Sequence, residues 1–333
     1  MSVLVTGGTG TLGHHILGLI PSARGSLYSL ATTAPVEHRK HAHVRYLQGD
    51  LLDFSQVLDA VRLTRPSQVY HVASQSNVGI SQKKPFETIS TNVLGSQNLL
   101  EAIRRTVPEC QVLLVSSSDV YGPGEGLLDT AHKETDPFRP LTPYASSKAC
   151  MEILGLQYQR AHGMHVVIAR PFNFSGPSHS RRFVLPAVAE QLVKIKNYGA
   201  EPVLYTGNLD VSRDFTDVRD LARAIVLLMN TGASGSIYNA CSGRIYCIRD
   251  LVELMAAQQG LDVEFRRDPD RERQVELPLL MGSAEKLMRL TDWKPIISME
   301  DSLLDLFREM ETRVAREREN AAKAPAGELF PPI

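Results

Sequence analysis

Apolar and polar residues alternate along this chain in a pattern that predicts short buried strands separated by amphipathic helices. Apolar runs too short for helices lie at residues 3–5, 27–30, 44–47, 69–73, 112–116 and 166–169. Between them, residues 54–63 and 86–105 repeat their apolar positions at helical spacing. Because strands alternate with helices, we expect an α/β fold with a doubly wound parallel sheet.

A glycine-rich loop follows the first predicted strand and precedes an apolar helix. Gly8, Gly10 and Gly13 fit the pattern G-x-G-x-x-G, and Gly7, Gly10 and Gly13 fit the wider G-x-x-G-x-x-G. Such glycines let the backbone approach a pyrophosphate, which then sits at the N-terminus of the helix. With a strand before it and a helix after it, this loop predicts a Rossmann-type dinucleotide-binding domain.

In the second half of the chain we expect a smaller C-terminal lobe, with substrate in the cleft between the two lobes. Helical patterns recur at residues 183–196 and 248–258. We expect residues 1–172, with returning segments near 211–242, to form the NADP(H)-binding domain. Residues 173–210 and 243–312 are then expected to form the substrate lobe. Residues 313–333 are rich in charges, small residues and prolines, and we expect a flexible tail there.

The end of the second strand favours NADP(H) over NAD(H). Enzymes that use NAD usually place an acidic residue there to bind the ribose 2′-hydroxyl. Here no acidic residue occurs before Glu37, and His38, Arg39 and Lys40 follow. Nothing in this segment would repel a 2′-phosphate, although a solvated basic loop in an enzyme that uses either cofactor would have the same sequence.

Asp50 and Leu51, in the N-terminal half, suit a contact with the cofactor. Asp50, followed by Leu51, comes after the third predicted strand and suits a contact with adenine. Asp50 also suits the N-cap of the next helix, a role that Asp53 would fill equally well.

A tyrosine and a lysine four residues apart indicate proton-transfer chemistry. Tyr144 and Lys148 share one face of a predicted helix, and Ser117 follows the fifth strand. An ammonium group beside a phenol favours the phenolate, so we expect Lys148 to lower the pKa of Tyr144. Such a phenol can exchange a proton with a substrate oxygen. Together with the glycine loop, this pair indicates an oxidoreductase that transfers a hydride.

Composition and charge exclude several other classes. The chain has 333 residues and a formal net charge of −1, so no basic field recruits nucleic acid. Its apolar runs are too short to cross a bilayer, and no apolar leader precedes the first strand. The four cysteines match no zinc pattern, and we expect no metal. Reduced thiols without a leader predict a cytoplasmic protein.

Further motifs make a resemblance specific. They are Arg170-Pro171-Phe172-Asn173, Gly176-Pro177, Phe183-Val184, Gly207-Asn208-Leu209-Asp210, Arg213-Asp214-Phe215-Thr216-Asp217-Val218 and Tyr238-Asn239-Ala240-Cys241-Ser242-Gly243. With them, residues 2–310 resemble the extended short-chain dehydrogenase/reductase family, in the group that contains GDP-mannose 4,6-dehydratases and GDP-6-deoxy-mannose reductases. The resemblance implies NAD(P)H-dependent reduction at C4 of GDP-4-keto-6-deoxy-D-mannose, which yields GDP-D-rhamnose, a step of deoxysugar biosynthesis.

The same resemblance implies a role for individual residues. Ser117, Tyr144 and Lys148 are implied to be catalytic, with Tyr144 protonating O4 and Lys148 binding the nicotinamide ribose. The implied cofactor contacts are Gly7, Thr9, Gly10, Thr11, Leu12, Val72, Ala73, Ser74 and Pro171, besides Tyr144, Lys148, Asp50 and Leu51. The implied substrate contacts are Ser117, Asp119, Asn173, Val184, Arg213, Arg273 and Glu276. It also implies a homodimer that pairs the helices near 86–105 and 144–160.

Several alternatives remain open from the sequence. Arg213 also suits a salt bridge with Asp214 or Asp217, and Arg273 lies in a highly charged segment that suits a solvated loop. His179 departs from the Gly-Pro-Gly-Gln pattern of related enzymes, and suits either a substrate contact or a mobile loop.

The reaction itself also has alternatives. Asp119 stands where related dehydratases carry a glutamate, which weakens a 4,6-dehydratase reading, and we favour a capping or orienting role for its carboxylate. A 4-epimerase, a reductase that forms the talose epimer and a non-catalytic cofactor sensor use the same fold.

Overall fold

The computed structural model describes residues 1–36, 39–123, 131–272 and 277–323. Its strands are β1 Ser2–Thr6, β2 Ser26–Ala31, β3 Val44–Gln48, β4 Gln68–His71, β5 Gln111–Val115, β6 His165–Pro171, β7 Asn173–Ser175, β8 Val203–Thr206, β9 Ser212–Asp217, β10 Ile237–Ala240, β11 Ile245–Cys247, β12 Glu264–Arg267 and β13 Leu279–Leu280. Its helices are α1 Thr11–Leu19, α2 Phe54–Thr64, α3 Val78–Lys83, α4 Pro85–Ile89, α5 Gly95–Thr106, α6 Pro143–His162, α7 Val184–Tyr198, α8 Val218–Thr231, α9 Ile248–Gln258, α10 Glu285–Thr291 and α11 Met299–Lys323.

The central sheet has seven strands in the order β10-β6-β5-β4-β1-β2-β3, and every pair in it is parallel. The chain winds outward from β1 to β2 and β3, and then returns to β4 on the other side of β1. Ligands of doubly wound sheets bind outside the carboxyl ends of the strands, where this reversal opens a crevice. The predicted α/β fold with a Rossmann-type sheet is confirmed.

Both faces of this sheet are covered, because successive side chains of each strand point to opposite faces. In β1, Val3 and Val5 pack in one core with α1 and α8, whereas Leu4 packs in a second core with α2, α5 and α6. Leu113 and Leu114 of β5 divide in the same way. The near-continuous apolar runs in the sequence follow from burial on both faces.

A second part of the molecule has its own core and two small sheets. Helices α7, α9 and α11 enclose a third apolar cluster, which includes Leu192, Val252 and Phe307. Strand β9 pairs with β7, β11 and β13, and β12 pairs with β8. The chain passes from the central sheet into this part at Phe172, the single residue between β6 and β7.

Two boundaries expected from the sequence were wrong. Helix α11 continues to Lys323, so residues 313–323 are helical rather than a flexible tail; Val314 still packs in the third core.

Residues 280–293, expected in the smaller lobe, pack on the central sheet, since Leu280, Leu287 and Trp293 belong to the core shared by α1 and α8. In addition, the segment expected as one helix at 86–105 comprises α4, a π-helical turn at Ser90–Leu94 and α5.

Candidate active site

The glycine loop between β1 and α1 lies at the reversal point of the sheet. Gly7 has a φ of +72°, and a Cβ there would lie 2.7 Å from the Ala73 Cα beyond β4. A Cβ on Gly13 would collide with the Gly7 carbonyl oxygen. Helix α1 begins after Gly10 with no side-chain cap and no acidic residue in its first turn. The first N–H groups of α1 are thus turned toward the cleft, which fits a bound pyrophosphate.

A cavity of about 940 Å³ runs along the carboxyl ends of the central strands. It is lined by every described residue that we expected to touch the cofactor: Gly7, Thr9, Gly10, Thr11, Leu12, Asp50, Leu51, Val72, Ala73, Ser74, Tyr144, Lys148 and Pro171. Asp53, not Asp50, caps α2, by accepting from the backbone N–H groups of Ser55 and Gln56. The uncapped helix end and the close backbone packing fit a dinucleotide such as NADP(H).

Three consecutive residues at the end of β5 hold the Tyr144 face of α6. The Val115 carbonyl accepts from Lys148 Nζ at 2.8 Å, and the Ser116 hydroxyl donates to Glu152. The Ser117 hydroxyl lies close enough to the Tyr144 phenol to act on its pKa. Because Tyr144, Lys148 and Glu152 are four residues apart, one strand end fixes three successive turns of the helix.

The N-terminus of α6 is fixed by a cap and a proline immediately before Tyr144. Pro143 occupies its first turn, and the Thr142 hydroxyl caps it by accepting from the Ala145 N–H at 3.1 Å. Proline suits the first turn because its missing N–H would have had no partner there. The cap and the proline therefore fix the position of Tyr144 at the edge of the cleft.

The expected lowering of the Tyr144 pKa by Lys148 was wrong. Burial and the nearby Asp119 carboxylate raise the pKa of Tyr144, and the Ser117 hydroxyl only partly opposes them. The Lys148 ammonium is itself desolvated, which lowers its pKa to about 7. Both effects follow from burial, which penalises the charged form of each group and which residue spacing alone does not reveal.

A second cavity of about 700 Å³ adjoins the first and extends into the smaller part. Asn173 and Arg213 border both cavities, and Val184 lines the second. Asp119 and Ser117 line the first cavity beside Tyr144. Arg273 and Glu276, the other two expected substrate contacts, lie outside the described residues.

The Arg213 side chain is buried, and its Nη1 donates to the Ser212 carbonyl at 2.8 Å. Its two expected alternative partners are engaged elsewhere. Asp214 accepts from Ser242 and from the Gly243 N–H, and Asp217 pairs with Arg219 at 2.8 Å. A buried guanidinium beside two cavities is a suitable group to hold an anionic part of a ligand.

The sequence did not indicate that residues 177–180 contact the cofactor side of the cleft, or that Arg39 holds them there. The segment 177–180 contacts the cofactor side of the cleft: the Ser178 carbonyl accepts from the Thr11 hydroxyl at 3.0 Å and from Arg39 Nη2 at 3.1 Å. Arg39 lines the cavity beside Thr32 and Thr33 at the end of β2. These contacts join segments more than 130 residues apart in sequence, so only the basic character of the 38–40 segment could have indicated them.

Asn92 supports the cleft from outside it, and His179, for which the sequence left a substrate contact or a mobile loop open, lines the cleft. Asn92, in the π-helical turn, donates to the Gln75 carbonyl and to the Ser147 hydroxyl, which ties the loop after β4 to α6. His179 is buried between the rings of Phe174 and Phe183, and its burial lowers its pKa to about 3. It lines both cavities, so it lies at the substrate side of the cleft rather than on an outlying loop.

Two further properties concern only the part of the chain that the structure describes. Within it, no group of three or more histidine, cysteine or acidic side chains has the arrangement to bind a metal ion. No helix there combines the length and the apolar character that crossing a membrane requires.

Known proteins resemble this chain over nearly its whole length. The sequence profile of the GDP-mannose 4,6 dehydratase family matches residues 4–306. The GDP-6-deoxy-D-mannose reductase of Pseudomonas aeruginosa is 35% identical over 315 residues, 95% of this chain and 99% of that protein. A GDP-mannose 4,6-dehydratase of Sinorhizobium fredii is 28% identical, over 78% of this chain and 79% of its own length.

Solved structures give the same result. The structure of RMD from P. aeruginosa in complex with NADPH matches with a TM-score of 0.80 and 32% identity, over 94% of this chain and all of that one. The UDP-glucose 4-epimerase of Thermus thermophilus in complex with NAD matches with a TM-score of 0.84 and 29% identity, over 93% and 99% of the two chains. The chain therefore belongs to the GDP-mannose 4,6-dehydratase family of NAD(P)-dependent extended short-chain dehydrogenases/reductases, as its motifs predicted.

Proposed function

We propose that this enzyme reduces the C4 keto group of GDP-4-keto-6-deoxy-D-mannose and forms GDP-D-rhamnose. The observation that carries the proposal is the convergence of Ser117, Tyr144 and Lys148 on one cleft beside the dinucleotide site. The relative that is 35% identical over 95% of the chain is named as the corresponding reductase, which supports this substrate.

The proton is supplied by Tyr144. Its raised pKa keeps the phenol protonated at neutral pH, which is the form needed to protonate an oxygen as negative charge develops on it. When bound, the reduced nicotinamide supplies the hydride. In the overall step the C4 carbonyl gains one hydride at carbon and one proton at oxygen, and becomes a hydroxyl group.

Ser117 and Lys148 orient this transfer. The Ser117 hydroxyl already contacts the phenol, so it is placed to hydrogen-bond the same substrate oxygen. Lys148 binds the nicotinamide ribose, and its ammonium stabilises the phenolate left after Tyr144 gives up its proton. Gly7, Thr9, Gly10, Thr11 and Leu12 hold the pyrophosphate through the loop and the start of α1.

The remaining assigned residues form the edges of the cofactor site. Val72, Ala73, Ser74 and Pro171 flank the nicotinamide half, and Asp50 and Leu51 flank the adenine. On the substrate side, Asn173 and Asp119 lie near the sugar, Val184 near the nucleotide, and Arg213 binds the diphosphate. Arg273 and Glu276 keep the roles that the family resemblance implies, toward the diphosphate and the substrate hydroxyls.

Arg39 supports NADPH as the preferred cofactor. Its guanidinium lines the cleft next to Thr32 and Thr33, where the ribose 2′-position lies in this fold. Among the described residues that line the cavity at the end of β2, none is acidic. A guanidinium is well suited to a 2′-phosphate, and NADH lacks that group.

We also propose that the enzyme is a cytoplasmic homodimer. Four apolar side chains are exposed on the helices that the resemblance implies for the interface: Phe86 and Ile89 of α4, Leu94 of the π-helical turn and Ile153 of α6. Burying them against a second copy would remove apolar surface from water. Cys110, Cys150, Cys241 and Cys247 are free thiols, which is typical of a reducing compartment.

A 4,6-dehydratase is the second candidate, because Asp119 lies near enough to raise the Tyr144 pKa. That enzyme begins by oxidising C4, for which Tyr144 would have to act as a base, and the raised pKa opposes this. Incubation with GDP-mannose and NADP⁺, followed by NMR of the sugar, separates the candidates. A reductase leaves GDP-mannose unchanged but consumes NADPH with the 4-keto sugar, whereas a dehydratase converts GDP-mannose into that 4-keto sugar.

A further inference from the structure

The α6 face that carries Tyr144 and Lys148 continues one turn further to a third ionisable residue. Glu152 lies four residues after Lys148 and is fully buried. The Ser116 hydroxyl donates to its Oε1, next to the Val115 carbonyl that holds Lys148. The strand end that fixes the proton-transfer residues therefore also fixes this carboxylate.

Glu152 is paired with a second buried charge. Arg170 of β6 is 2% exposed and donates to Glu152 through Nη2 at 2.8 Å and Nε at 3.0 Å. Its guanidinium lies over the Tyr121 ring, 4.7 Å from the centroid, and over the Phe138 ring, 5.0 Å away. The carboxylate is thus held by Ser116 and by two nitrogens of Arg170, and it has little freedom to turn.

Such a pair is poorly explained by stability alone. Apolar residues of similar volume often stabilise a core as well as a buried ion pair does, because desolvation of the two charges offsets their attraction. The pair instead lies beside the proposed catalytic site. Arg170 directly precedes Pro171, which lines the cofactor cavity.

The charges around this face show which group acts on Lys148. His71 of β4, Asp119 of the turn after β5 and Arg170 of β6 surround the face that carries Tyr144, Lys148 and Glu152. His71 is neutral, since burial and Lys148 lower its pKa to about 3. Asp119 acts on Tyr144. Glu152 is the carboxylate whose charge opposes the desolvation of Lys148.

We propose that Glu152, fixed by Arg170 and Ser116, is a positioning residue that holds Lys148 as a charged ammonium one turn below Tyr144. The inference rests on the proposed roles of Tyr144 and Lys148 and adds a residue to them. A neutral amine at Lys148 would bind the nicotinamide ribose less strongly and would not stabilise the phenolate. Glu152 therefore sets the pH above which the site stops working.

The test compares Glu152→Gln, Glu152→Asp and the double variant E152L/R170M. The double variant removes both charges while keeping an apolar core, so it remains informative if Gln leaves Arg170 unpaired and the fold fails. For each variant, the melting temperature, the affinity for NADPH by fluorescence and kcat are measured between pH 5 and pH 9. NADPH binding needs no sugar, so a wrong substrate assignment shows as absent turnover with binding intact.

In the wild type, NADPH affinity and kcat should both fall as the pH rises. In E152Q we expect this fall to occur about one pH unit lower. The double variant, which loses the Arg170 charge as well, moves in the same direction but by less than E152Q, even where its melting temperature equals that of the wild type. E152D, which keeps a carboxylate, moves less than E152Q. A folded E152Q or E152L/R170M protein with the pH dependence of the wild type would show that the pair is only structural, and would overturn the proposal.

Discussion

Lys148 Nζ lies 5.9 Å from the centroid of the Tyr144 ring, while its proton is donated to the Val115 carbonyl. The two groups share a helix face, yet the polar side chain that lowers the Tyr144 pKa is Ser117, and burial outweighs it. Burial favours the neutral form of both side chains. This arrangement suits a site that first gives up a proton and only afterwards needs a positive charge nearby, as a reduction requires.

Tyr144→Phe removes the proton donor and keeps the ring. We expect kcat for reduction of the 4-keto sugar to fall by about 10²–10⁴-fold, because the variant lacks the acid that the proposed reaction assigns to O4. The affinity for NADPH, measured by fluorescence titration, should change little. Tyr158→Phe, the same change further along α6, is the matched control, since the Tyr158 hydroxyl binds Glu101 and does not line the cavity.

Turnover retained by Y144F would contradict the role of the phenol. Cofactor binding without turnover of any nucleotide sugar by the wild type would favour a non-catalytic cofactor sensor instead.

Lys148→Met tests the cost of burying the ammonium. The unfolded lysine has a pKa near 10.5, and burial lowers the folded value to about 7. Between these values the unfolded state binds a proton that the folded state does not, so the stability of the wild type rises with pH. This contribution to the stability decreases as the pH falls from about 10.5 to 7, and below pH 7 it no longer changes.

We therefore expect the free energy of unfolding of the wild type, minus that of K148M, to rise by about 1.4 kcal/mol per pH unit within that window. Urea unfolding at pH 7, 8 and 9 measures this difference, and K148M should also lack turnover. Parallel stability curves for the two proteins would mean that Lys148 is not desolvated as the structure indicates.

Arg39→Gln tests the preference for NADPH. Loss of a charge-assisted bond to the 2′-phosphate should raise KM for NADPH by about tenfold and leave KM for NADH unchanged. Lys40→Gln is the control, because Lys40 carries the same charge but does not line the cavity. Arg39 also binds Ser178, so an equal rise of KM for both cofactors would assign it to loop support and not to the phosphate.

The sequence predicted those parts of the site in which the functional residues lie close together along the chain. The glycine loop needs a strand, a turn and a helix in succession, and Tyr144 and Lys148 need only one helical turn between them. The direction of the Tyr144 pKa was wrong because burial and Asp119 act through tertiary packing. The contacts of Ser178 with Thr11 and Arg39, and of Arg170 with Glu152, join separate elements, so no local pattern contains them.

The proposed reaction delivers a hydride to C4 of the sugar. Its most direct test is a single turnover of GDP-4-keto-6-deoxy-D-mannose with NADPH that carries deuterium on the transferable position, followed by NMR of the sugar. We predict one deuterium at C4 of GDP-D-rhamnose; deuterium at C4 of the talose epimer would keep the reaction and reverse the face. A sugar without deuterium at C4, with the cofactor still reduced, would contradict the account.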